Sequence, residues 1–100
     1  IKDGISYFNN ERFWECHEAL EGAWKQSSGD EKETIQGLIL VAAALVHYQK
    51  DEDDICLSVL GRALKKLQNK SGQYYQINID NVKQKTIEML DRKEIFTFMF

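Results

Sequence analysis

The stretch Glu11–Trp24, ERFWECHEALEGAW, gathers the residue types that carry chemistry. His17 sits among Glu15, Glu18 and Glu21, with Trp14 and Trp24 close by. HEALE is not the zinc-peptidase pattern H-E-x-x-H, because Glu21 occupies the place of the second histidine. His17 and Glu21 still fall at i and i+4 on one helical face, a spacing that suits two metal ligands or a histidine–carboxylate acid–base couple. His47 is the third candidate ligand. The site is read as holding no metal, with His17, Glu21 and His47 as the set that would hold an ion if one bound. Cys16 projects about 100° away from His17 on a helical wheel, which disfavours a Cys–His dyad. The chain has no glycine-rich phosphate loop.

On that wheel Phe13, Leu20 and Trp24 lie within about 60° of His17 on one side, and Trp14 and Glu21 within about 60° on the other. This places His17 and Glu21 in the middle of the apolar face, with Glu18 at its boundary. A buried carboxylate needs a partner, and His17 is the nearest. If this helix folds back antiparallel on the next, Glu21 comes level with Gln36 and Gly37, and His17 with Val41 and Ala42. The expected result is a buried polar line of Gln36, Glu21, His17 and His47, flanked by Trp14 and Trp24.

The elements that must position these residues read as helices. The expected spans are Lys2–Phe8, Glu11–Gln26, Glu31–Lys50, Asp54–Asn69 and a fifth helix ending near Arg92. Asn9-Asn10 reads as a break and N-cap. Gly29 suits a helix C-cap, and Asp30 with Glu33 reads as a capping box. The third helix is apolar nearly all round from Gly37 to Val46 and is expected at the centre. On the fourth, Ile55, Val59, Leu60, Ala63, Leu64 and Leu67 form the apolar face, and Arg62, Lys65 and Lys66 a solvated basic stripe. YYQIN suits a short extended segment. Asn78 or Asp80 caps the fifth helix, whose Ile79, Val82, Thr86, Met89 and Leu90 face inward. The apolar tail EIFTFMF either packs on the domain or marks an interface. The chain contains no proline, which favours uninterrupted helices. The fold expected is all-α: a compact bundle of about five helices with a central antiparallel helix pair.

Composition sets the outer limits. The chain has 100 residues, 43% of them hydrophobic and 29% charged, as in an ordinary globular domain. We expect a single all-helical domain over residues 1–100, trimmed at one or both ends, since it opens on Ile1 and closes on apolar Phe100. The net charge of -3 gives no basic signal for nucleic acid. The longest apolar run, GLILVAAALV, is too short to span a bilayer. No signal peptide is recognised. The two cysteines form no CxxC pair and read as reduced, which fits a cytoplasmic location. DEDD (Asp51–Asp54) lacks the calcium-loop spacing and reads as a helix start.

Taken together, FNNERFWECHEALEGAWK, IQGLILVAAALVHYQK and CLSVLGRALKKLQ resemble the uncharacterised family known as domain of unknown function 309. The resemblance runs from about Tyr7 to Leu67. Its matched positions include Phe8, Asn9, Glu15, His17, Glu18, Leu20, Glu21, Trp24, Gln36, Gly37 and His47. Glu11 stands where the family usually has glycine. The resemblance implies a compact, cytosolic, all-helical domain and implies no activity. The functional expectation is a non-enzymatic small-ligand-binding or protein-interaction domain with a buried His/Glu/Gln network. Its candidate site residues are Trp14, His17, Glu18, Glu21, Trp24, Gln36 and His47. No cofactor, nucleic acid or membrane is expected, and a homo-oligomer would form through the C-terminal tail. The alternative is a metal-dependent or acid–base enzyme using His17, Glu21 and Glu18.

Overall fold

The computed structural model describes residues 1–100. Five helices and one small hairpin follow in order: α1 Lys2–Asn9, α2 Phe13–Lys25, α3 Gly29–Gln49, α4 Asp53–Leu67, β1 Gln73–Tyr74, β2 Ile77–Asn78 and α5 Ile79–Arg92. α3 is the central element. It packs most extensively on α4 and next on α2, while α1 rests on α2 and α5 on α4. The bundle is all-α apart from the two-stranded hairpin.

α3 earns the centre through its sequence. Leu38 to Ala42, with Ala44 and Leu45, are all buried, because apolar side chains on every face can be removed from water only by neighbours on several sides. Gly37 sets the closest approach. A Cβ built there would lie 2.6 Å from both Cγ and Cδ2 of Leu67, so the missing side chain is what lets α4 come this near.

The apolar face of α2 is rotated from that expected, and on α4 Leu60, Ala63 and Leu67 are buried as expected but Cys56 takes the inner place given to Ile55. On α2 the buried residues are Phe13, Cys16 and Leu20; on α4 they are Cys56, Leu60, Ala63 and Leu67. Ile55, assigned to the inner face, is 45% exposed. Both corrections have one cause. Each cysteine behaves as a small core hydrophobe and is fully buried on the inner face of its helix. On α5 the buried set is Ile79, Val82, Thr86 and Met89, with Leu90 half-buried.

The helix ends differ from expectation in detail. α2 begins after Arg12 with no side-chain cap, and Asn10 instead closes α1, its Nδ2 donating to the Ser6 carbonyl at 2.8 Å. Glu11 between them has φ 58°. This left-handed conformation is the one glycine adopts without strain, which accounts for glycine at this place in the pattern the chain resembles. Ser28 precedes α3 without a side-chain cap. The expected Asp30–Glu33 box does not form, because both carboxylates turn to Lys70 Nζ, at 3.3 and 3.2 Å. Asn78 does cap α5, its Oδ1 accepting from the Asn81 N–H at 3.0 Å.

YYQIN forms a tight hairpin in which Gln73 pairs with Asn78 and Tyr74 with Ile77. After α5, Lys93 takes φ 52° and turns the chain back. The tail then packs on the domain. Phe100 stacks on Phe8 with ring centroids 3.6 Å apart, Phe98 meets Phe8 edge-on, and the Phe100 N–H donates to Asn9 Oδ1 at 2.7 Å.

Candidate functional site

Three of the expected site residues converge. Trp14 and His17 from α2, with Ala43, Val46, His47 and Lys50 from the C-terminal half of α3 and its cap, line one groove of about 200 Å³. The groove exists because α2 buries its Phe13–Cys16–Leu20 stripe. Trp14 and His17, displaced round the helix from that stripe, are left along the rim. Trp14 is 55% exposed. Its indole lies parallel to the His17 imidazole, 5.4 Å between centroids and 9° between planes. Ala43 and Val46 supply the apolar floor.

The two histidines of the groove are held differently. His47 Nδ1 lies 2.7 Å from Glu52 Oε1. A neutral His47 therefore donates from Nδ1 and presents Nε2 as its free nitrogen. His17 Nδ1 is 3.8 Å from Glu21 Oε2, beyond hydrogen-bond range. It is the one buried side-chain nitrogen or oxygen in the structure without a partner. A protonated Nδ1 would draw the carboxylate in, so the long separation fits the Nε2–H tautomer.

The expected buried line of Gln36, Glu21, His17 and His47 does not assemble. The Glu21 side chain is 49% exposed and the His17 side chain 21%. The rotation of α2 explains this, since Trp14 drew the assigned apolar face toward Glu21 while the real face follows Cys16. Trp24 and Gln36 line a separate groove with Gly29, Lys32, Glu33 and Lys66, where Lys32 Nζ sits 4.2 Å from the centre of the Trp24 ring. Glu18 lies elsewhere again, beside Asp3, Tyr7, Glu15 and Ala19 against α1. His17, Glu21 and His47 form no three-ligand cluster able to hold a metal ion.

The cysteines are far from nucleophilic. Burial pushes the Cys16 thiol up to about 12 and the Cys56 thiol up to about 11, and the thiolate is the reactive form. The residue that helical spacing missed is Lys50. Its place at the end of α3 carries no local signal, and only the packing of α2 against α3 brings it into one groove with His17.

A model of the family described as Domain of unknown function (DUF309) matches residues 1–59. The chain belongs to this family. The DUF309 match spans α1, α2, α3 and the first half of α4, so it contains every residue of the Trp14–His17–His47 groove. It ends short of the hairpin, α5 and the tail. No curated protein matches the chain. No helix is long and apolar enough to cross a membrane.

Proposed function

We propose that this domain is a non-enzymatic binding module that takes a small ligand in the groove between α2 and α3. One observation carries the reading: Trp14, His17 and His47, from two helices, line a single open groove with an apolar floor. Pockets with a few polar groups set on apolar walls are the usual form of small-molecule sites. A solvent-exposed tryptophan held flat against an imidazole offers such a ligand a preformed wall.

The acid–base or metal-dependent alternative rested on His17, Glu21 and Glu18 acting together. Their placement favours it less. Glu18 faces α1, and Glu21 stands outside the groove that His17 lines. Both thiols are buried with raised pKa values, which removes the nearest nucleophiles.

The test is a small-molecule library screened by nitrogen-labelled NMR, following the indole N–H of Trp14. Binding compounds shift Trp14 and not Trp24, and the response is lost in His47→Ala. A library that moves neither indole, on protein shown to be folded, defeats the proposal.

A further inference from the structure

The charge of its lining narrows what this groove can take. Among its lining residues, Trp14, His17, Ala43, Val46, His47 and Lys50, none is acidic and one is a cation. The groove at Trp24 includes Glu33, the one at Tyr74 includes Glu31, and the one beside α1 includes Asp3, Glu15 and Glu18; the one at Ile5 shares the character, with Lys2 and no acid, but holds no histidine or tryptophan. In a protein of net charge -3, the one charged residue lining this groove is the cation Lys50, while Glu52 and Glu21 stand behind the two histidines rather than on the lining.

The donors agree with the charge. His17 Nδ1 is shut away from solvent, so the ring edge that meets the groove carries Nε2, and the 3.8 Å gap to Glu21 fits a proton on that nitrogen. Lys50 adds a mobile ammonium with three donors. His47, with Nδ1 committed to Glu52 at 2.7 Å, presents Nε2 as a further polar contact. Beside these lie the Trp14 indole, parallel to the His17 ring, and the apolar side chains of Ala43 and Val46. An engineered apolar cavity of about 150 Å³ admits a benzene ring. A groove of about 200 Å³ is thus of the right order for one ring and one small polar group.

From the charge, the donors and the apolar wall together, we infer that the ligand of the α2–α3 groove is a small aromatic carboxylate. Its carboxylate meets His17 Nε2–H and Lys50 Nζ, and its ring lies against Trp14 and Val46. This rests on the binding-module reading and narrows it to a chemical class. A cation is disfavoured by Lys50, and a bare inorganic anion would leave the apolar wall unused.

The experiment compares benzoate, benzyl alcohol and benzylamine on the full chain, alike in ring and different in charge. Indole N–H shifts of Trp14 report binding, and those of Trp24 serve as the internal control. Zinc chloride is titrated separately. The inference expects a saturable Trp14 shift with benzoate, a much weaker one with benzyl alcohol and none with benzylamine. Lys50→Gln, at an exposed position, should weaken benzoate roughly fivefold and leave benzyl alcohol unchanged. If benzyl alcohol or benzylamine binds as well as benzoate, or if only zinc moves the His17 and His47 resonances, the carboxylate assignment falls and the groove remains a binding site. If nothing shifts Trp14, His17 or His47, the carboxylate assignment falls, and the binding-module reading is decided by the wider library.

Discussion

α3 makes two seams, and they are built on opposite terms. Against α4 it presents Gly37 to Leu67, and the contact is so close that a single added methyl group would overlap the leucine. Against α2, near its other end, it presents Ala43, Val46, His47 and Lys50 to Trp14 and His17, and a groove stays open between them. The first seam is apolar and filled. The second carries polar groups, one of them a buried nitrogen without a partner. The difference shows how a small bundle divides its labour: stability resides where packing is complete, and recognition is available where it is not.

Substitutions can break or sharpen this contrast. The largest effect is expected at the filled seam, where Leu67→Ala should cost about 2–5 kcal/mol, read from urea midpoints at unchanged m-value. The next is at the buried thiol under α2. Cys16 is held neutral to about 12 in the fold, against an ordinary value of 9.0. A raised folded pKa gives stability that is complete below the unfolded value and is lost as pH climbs through the folded one. The melting temperature should therefore fall between pH 9 and 11, and fall less steeply in Cys16→Ala. Equal slopes would contradict the burial argument. Gly37→Ala should cost about 1–3 kcal/mol by overpacking. In combination with Leu67→Ala the two losses should sum to less than their separate values, because the clash then has no partner. Glu11→Gly should raise stability by about 1 kcal/mol, since φ 58° strains any side chain; a destabilised variant would show that the conformation is not strained. The smallest effects belong to the open seam. Trp14→Ala and Glu21→Gln, both at exposed positions, should each stay within about 0.5 kcal/mol of the parent in urea titration. A large loss in either would mean that the groove is a structural element after all.

Most of the architecture was legible in the residue pattern. Helix periodicity located all five helices, the all-round apolar run marked α3 as central, and the start of α5 was narrowed to Asn78 or Asp80, of which Asn78 is the cap. What escaped was the rotation of α2, and it decided the site. Trp14 and Cys16 lie on opposite flanks of His17, and hydrophobicity alone favours the tryptophan. A bundle this small has limited area to bury, however, and the narrow thiol is fully buried in the core while the indole stays half exposed. The same misreading recurred on α4, where Ile55 was preferred to Cys56. A cysteine at helical spacing from leucine and alanine is thus a core marker, and a wheel centred on Cys16 places His17 at the rim. The capping box failed for a different reason. Its partner Lys70 is 40 residues from Asp30 in the chain, and no local pattern carries that information.

The clasp of Phe100 on Phe8 has a consequence for the time course of folding. Its hydrogen bond to Asn9 joins residues 91 positions apart, and the segment between Glu94 and Phe100 forms no helix or strand that could assemble by itself. Contacts this distant pay their loop-closure entropy before they return any energy, so the clasp should close after the barrier has been crossed. Interactions absent from the transition state leave the refolding rate alone and slow the reverse reaction. Phe100→Ala should therefore unfold faster and refold at the parent rate, and slower refolding would place the clasp inside the nucleus. On this view the last residues act less as structure than as a latch on the lifetime of the native state.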